Sequence, residues 1–323
     1  MIPGLIALII FFAFILIKSA DFVIIATRRL AKGAGTNVFV LSAIILALGT
    51  SFPELFVGIT SALEGNPVIS LGDVIGSNIA NMSLVVGLSA LIAGSVIVRG
   101  NYIKREVFIA FAAGLLPLIL LLDSSLNRVD GLILIVIYGA YAASFFRSRF
   151  IKIAEEYKEE GFVYRFFRQF NHVDSAKRKE LVRLFLGVAV MLFSADMIVK
   201  LSINLADFAN ISSLVVGMVI VAIGTSLPEF AFSLRSLKKH QPSMFFGNLL
   251  GSTVTNSTLV LGVVALIHPI QVDGVSKYFI ATAAFALIYL TFWYFIKSKH
   301  RLDRWEAGVL ILMYIVFVIT VIV

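Results

Sequence analysis

The sequence contains no cysteine, which removes disulfide frameworks, thiolate metal sites and thiol redox chemistry from consideration. Charge is scarce as well. Only 14% of the 323 residues are Asp, Glu, Lys or Arg, whereas 59% are hydrophobic and the mean hydropathy is +0.99. A soluble domain carries about a quarter charged residues, so the composition argues for a polytopic membrane protein. The four histidines, His172, His240, His268 and His300, all fall in predicted loops or at the ends of apolar runs. None is placed to activate a buried serine, which sets an intramembrane hydrolase aside and leaves no expectation of an enzyme. A formal net charge of +8 would suggest nucleic acid in a soluble chain. Here its placement reports topology, and the expected partner is the lipid bilayer.

Apolar runs fall near 2–27, 37–63, 67–95, 106–122, 130–146, 181–206, 212–234, 243–268, 276–296 and 305–322. The first lacks the basic flank and cleavage site of a signal peptide and reads as a membrane span. All are predicted helical, because a chain in lipid must satisfy its own backbone hydrogen bonds. If the spans alternate in direction, 23 of the 27 basic residues collect on one side and only Lys18, Arg128, Lys200 and Lys277 remain on the other. The positive-inside rule then places the rich side in the cytoplasm and both termini outside. The one sizeable hydrophilic stretch, 151–178, reads as a cytosolic linker between a first half, 1–150, and a second, 179–323. No oligomeric state can be assigned from the sequence.

The two halves repeat each other. Adding 175 to the residue number maps Ser19-Ala20-Asp21 onto Ser194-Ala195-Asp196, GTSFPE at Gly49–Glu54 onto GTSLPE at Gly224–Glu229, Gly76-Ser77 onto Gly251-Ser252, and Asn81 onto Asn256. Shared apolar composition does not place Thr, Ser, Pro, Glu and Asn at identical offsets, so duplication is the better explanation. Five spans per half is an odd number, and equivalent helices must therefore cross in opposite directions. The predicted fold is all-α, ten transmembrane helices as two inverted five-helix repeats, with the site near the midplane where helices break.

Glu54 and Glu229 stand inside apolar runs, where a charge costs about 2.5–3.5 kcal/mol on insertion scales and demands a function. Pro53 and Pro228 cannot donate to the carbonyls of Gly49 and Gly224, so each helix is expected to kink there and free backbone oxygen. Thr50 shares a helical face with Glu54, Thr225 with Glu229, Ser77 with Asn81 and Ser252 with Asn256. With Ser51 and Ser226 added, the constellation is rich in oxygen and free of His and Cys. Such a set suits a hard cation; two carboxylates plus neutral oxygens suit Ca²⁺, and the hydroxyls suit Na⁺. Asp21 and Asp196 are weaker candidates that could pair with basic residues. Asp73 reads first as a helix cap.

These paired motifs, GTSFPE with GSNIAN and GTSLPE with GSTVTN, resemble those of the cation/calcium exchanger superfamily, and most closely prokaryotic sodium/calcium exchangers, over essentially the whole chain. The resemblance implies that Glu54 and Glu229 bind Ca²⁺, that Thr50, Ser51, Thr225 and Ser226 contribute with the carbonyls of Ala47 and Ala222, and that Ser77, Asn81 and Ser252 complete the ligand set. Asn256 departs from the family, in which several members carry Asp there; an amide cannot ionise, which argues against K⁺ dependence. Asp73 is a second departure, since Asn is common after this glycine, as at Asn248. The expected function is electrogenic Na⁺/Ca²⁺ antiport by alternating access, with no cofactor beyond the transported ions. A Ca²⁺/H⁺ antiporter and a passive cation channel are the competing readings.

Overall fold

The computed structural model describes residues 2–31, 47–94, 96–97, 102–156, 175–272, 275–299 and 301–322. Helices dominate: α1 (Ile2–Ala31), α2 (47–63), α3 (Val68–Ala93), α4 (Tyr102–Leu120), α5 (Arg128–Glu156), α6 (Ser175–Ala209), α7 (Ser213–Lys238), α8 (Pro242–Ile267), α9 (Val275–Lys299) and α10 (Arg304–Ile322). Among the described residues, seven helices are long and apolar enough to cross a membrane. The chain is a multi-pass membrane protein. The expected linker 151–178 lies mostly outside the described residues; its ends, 151–156 and 175–178, continue α5 and α6 as helix.

Burial sorts the helices. In α3 and α8, 78% of the apolar window is buried, against 33% in α10, so α3 and α8 form the centre. Peripheral helices turn large apolar side chains outward, including Phe108 (66% exposed), Phe185 (72%) and Leu287 (59%). So much apolar surface is stable only against lipid. The buried side chains form two clusters. One draws on α3 to α5 and α7 to α10. The other centres on α1 and α6, through Ile9, Ala13 and Leu16 against Ala195, Ile198 and Val199.

Short antiparallel ribbons join the loops. Strand β1 (Val96–Ile97) pairs with β4 (Arg301–Leu302), and β2 (Ser125–Leu126) pairs with β3 (Ile270–Gln271). These strands are small additions to the expected all-α fold. Helix starts follow local chemistry: at α5, Asn127 Oδ1 accepts from the N–H groups of Val129 and Asp130 while Asp130 accepts from Asn127 N, a reciprocal cap. Glu306 accepts from Asp303 N in the same way at α10.

Close helix approach is set by glycine. A Cβ on Gly72 would collide with the Leu214 carbonyl, one on Gly76 with the Met218 carbonyl, and one on Gly217 would come within 3.0 Å of Asp73 N. These glycines let α3 and α7 touch backbone to backbone, bringing the two halves together beside the motif acids.

Candidate cation site

Ser51 and Ser226 each interrupt a helix for a single residue, the first between Ala47–Thr50 and Phe52–Leu63, the second between Ala222–Thr225 and Leu227–Lys238. Both serines have ψ near zero, with φ −84° and −78°. The expected break is thus a narrow one. Pro53 and Pro228 sit in the first turn after it, where a missing N–H is harmless. Glu54 and Glu229 fall in that same first turn, at the positive end of the new helix dipole. The pattern Ser-x-x-Glu normally closes a capping box, yet neither serine caps through its side chain, so its hydroxyl is available for the site.

Three hydrogen-bonded groups connect the elements. Ser252 donates to Glu229 Oε1 at 2.9 Å and lies 2.8 Å from Ser51 Oγ; having one proton to give, it receives the hydrogen of Ser51. Thr50 Oγ1 lies 3.3 Å from Asn248 Oδ1. On the opposite side, Thr225 donates to Asp73 Oδ1 at 2.7 Å, with Ser77 Oγ 3.2 Å from the same oxygen and 3.1 Å from Thr225 Oγ1. Adding 175 to 73 gives 248, so Thr50 with Asn248 and Thr225 with Asp73 are equivalent pairs.

The remaining buried polar atoms of these residues have no hydrogen-bond partners. Glu54 is fully buried and neither of its carboxylate oxygens has a hydrogen bond; the same holds for Glu229 Oε2, Asp73 Oδ2, Ser226 Oγ and both side-chain polar atoms of Asn81 and Asn256. Asn256 flanks Glu54, and Glu229 and Asp73 lie within its electrostatic reach. Among the described residues, no basic side chain forms a salt bridge with any of these acids. A buried charge left like this costs several kcal/mol, and unpartnered buried acceptors each cost about 1–3 kcal/mol. Cations bound among them would remove both costs.

The carbonyls of Ala47 and Ala222 lie one turn before the interruptions, but each already accepts a backbone N–H. Ala47 O accepts from Ser51 N at 2.9 Å, with Thr50 Oγ1 3.2 Å away, and Ala222 O accepts from Ser226 N at 3.1 Å; Thr225 Oγ1 lies 3.4 Å from Ala222 O but gives its one proton to Asp73. The structure corrects the reading of Asp73 as a cap: α3 starts at Val68 with Pro67 as its N-cap, and Asp73 lies in the second turn, wholly buried, facing α7. Asp196 pairs with Lys200 at 3.0 Å, and Lys200 also reaches Glu64 at 3.6 Å, which takes Asp196 out of the site. The side chain of Asp21 lies outside the described residues.

Two segments of the chain, 4–147 and 179–323, match the model of the sodium/calcium exchanger protein family. The chain belongs to that family. The sodium/calcium exchanger MaX1 of Methanosarcina acetivorans is 28% identical over 94% of both chains, and CaxA of Alkalimonas amylolytica is 30% identical over 93% of both. The fold is similar to that of the sodium-calcium exchanger NCX_Mj in a structure soaked with Na⁺ and Sr²⁺, with a TM-score of 0.67, 24% identity and 99% of both chains covered.

Within this candidate site, the sequence pointed neither to Asn248 nor to the place of Asp73 in the second turn of α3. The signal was present: both directly follow the repeated glycines Gly72 and Gly247, in the same register that aligned the motif glutamates. The π-helical turns of α3 and α8, Asn81–Val85 and Thr255–Val260, also begin at or one residue before the paired asparagines. Such turns concentrate at functional sites.

Proposed function

We propose that this protein is a secondary antiporter that exchanges Na⁺ for Ca²⁺ across the cell membrane by alternating access. The observation that carries the reading is a pair of wholly buried carboxylates, Glu54 and Glu229, with three unpartnered oxygens between them and no basic counter-charge among the described residues. Ca²⁺ is the cargo that matches two carboxylates and several neutral oxygens at forgiving geometry. Thr50, Ser51, Ser77, Thr225, Ser226 and Ser252 supply the hydroxyls for Na⁺, with Asn81 and Asn256 as neutral ligands and the Ala47 and Ala222 carbonyls within a turn. Binding is competitive wherever the ions share Glu54 and Glu229. Three Na⁺ against one Ca²⁺ would move one net charge per cycle.

The same reading takes the chain as ten spans in two inverted repeats, 1–150 and 179–323, joined by a cytosolic linker at 151–178. Support comes from the two family-model segments and from the ribbons. Offset by 175 residues, β1 corresponds to β3 and β2 to β4 within one residue, so the ribbon β1·β4 maps onto β3·β2. With both termini outside, the first ribbon lies on the cytoplasmic side and the second on the outer side. The apolar cluster centred on α1 and α6, which also takes in Val57, Ile69, Val216 and Val221, makes this helix pair the natural moving unit, rocking over the remaining helices.

Protons could serve the same carboxylates, which makes a Ca²⁺/H⁺ antiporter the second reading; the density of hydroxyls around the acids favours Na⁺. The experiment is ⁴⁵Ca²⁺ uptake into Na⁺-loaded proteoliposomes diluted into Na⁺-free buffer, beside a pH-gradient arm and Glu54→Gln. Uptake driven by Na⁺ and lost in the variant is expected. Uptake driven only by the pH gradient would move the assignment to the proton, and uptake that follows no counter-ion would make the protein a passive channel.

A further inference from the structure

The mechanism above uses two acids, but the structure buries a third beside them. Asp73 is wholly buried; its Oδ1 receives Thr225 and Ser77, and its Oδ2 has no hydrogen-bond partner. Among the described residues no basic side chain forms a salt bridge with it, and no three acidic or histidine side chains gather closely enough to hold one ion. One Ca²⁺ on Glu54 and Glu229 already balances their two charges and leaves the carboxylate of Asp73 without a counter-charge. Resting on the exchanger reading, we propose that Asp73 forms a separate Na⁺ position with Ser77 and Thr225, occupied when Ca²⁺ sits on the two glutamates.

The chemistry is that of a hard monovalent cation. A carboxylate with a free oxygen and two hydroxyl oxygens within 3.2 Å of its other oxygen offers oxygen ligands and a single negative charge. After donating their protons, both hydroxyls keep lone pairs for a cation. One Na⁺ neutralises the position, whereas a second divalent ion would leave excess charge in a low-dielectric interior. The internal duplication provides a built-in comparison. At the equivalent place Asn248 carries no charge, and its Oδ1 lies 3.3 Å from Thr50 Oγ1, against 2.7 Å in the Asp73–Thr225 pair. The two halves of the site are thus chemically unequal, with the extra charge on the α3–α7 side alone. Gly217 packs against the Asp73 backbone and holds that side close.

The test counts Na⁺ directly and needs no transport. Purified protein is dialysed to equilibrium against ²²Na⁺, with and without saturating Ca²⁺, as wild type and as Asp73→Asn, which copies Asn248. The wild type is expected to keep one Na⁺ per chain in saturating Ca²⁺, and the variant none. Equal counts in the two proteins, or complete release of Na⁺ from the wild type by Ca²⁺, would overturn the proposal and leave Asp73 to a proton. If Asp73→Asn does not fold, Ser77→Ala reads the same position: the Na⁺ retained beside Ca²⁺ should bind about tenfold more weakly, and unchanged binding would also overturn it. A wild type without Na⁺-coupled ⁴⁵Ca²⁺ flux that still retains this Na⁺ would sink the exchanger reading while the Asp73 position stood.

Discussion

At the scale of single residues, Glu54 and Glu229 differ in how they are held. Glu229 keeps one oxygen on Ser252 and leaves one without a partner, whereas both oxygens of Glu54 lack one. Ligand linkage makes this measurable, since an ion that binds only the folded protein at 100 times its Kd adds about 2.7 kcal/mol of stability. Ca²⁺ should therefore raise the melting temperature of the detergent-purified wild type. Glu54→Gln and Glu229→Gln should each abolish that rise, because each removes half of the charge facing the ion. A Ca²⁺-induced shift of wild-type size in either variant, followed by intrinsic Trp fluorescence, would show that the ion lies elsewhere. Both acids were legible in the sequence because a charge inside an apolar run, repeated in the same six-residue frame, has few structural explanations. Asp73 was not, because a Gly-Asp pair near the start of an apolar run reads equally well as a helix entrance. What excludes that reading is the chain turning into α3 five residues earlier, at Val68.

Elements position these side chains through their crossings. The contact of α3 with α7 holds Asp73 and Ser77 against Thr225, and it depends on Gly72, Gly76 and Gly217. In Gly76→Ala the added methyl meets the Met218 carbonyl, an atom of the backbone that cannot rotate away. The helices must separate, at a cost of about 1–3 kcal/mol for an overpacked contact. We expect Gly76→Ala to melt several degrees lower and to bind Ca²⁺ more weakly, while Gly308→Ala on α10, where nothing lies within 4 Å of the new Cβ, behaves as wild type. Equal melting of all three proteins would mean that α3 and α7 are not packed as described. Positions of the long helices followed from the apolar runs, and the interruptions from Pro53 and Pro228. Their narrowness did not. A proline in the first turn of a new helix needs only one residue of altered backbone before it, and the sequence does not separate that from wider unwinding. The two-residue strands and the π-helical turns carry no local pattern at all; they arise where loops meet and where helices pack.

For the whole molecule the decisive test is whether the two halves are inverted. If equivalent elements face opposite sides, then Ser125 and Gln271, which pair across one ribbon, lie on the same face of the membrane. Arg301, in the ribbon that corresponds to it by duplication and pairs with Ile97, lies on the other face. Because the chain has no cysteine, Ser125→Cys, Gln271→Cys and Arg301→Cys each give a single thiol without background. A membrane-impermeant thiol reagent applied to intact cells should label the first two, and only inverted vesicles should expose the third. The sign follows from the basic residues: Arg301 lies between Lys299 and Arg304 on the side that collects 23 of the 27, which the positive-inside rule assigns to the cytoplasm. Arg301→Cys labelled in intact cells, with the other two protected, would reverse the orientation and keep the inversion. All three labelled from one side would require an even number of crossings between 125 and 301, and the two halves of the site could not then be related by an axis in the membrane plane. Each outcome also bears on the proposed transport cycle: with inverted halves, a tilt of α1 and α6 would open the site to one side of the membrane as it closed the site to the other.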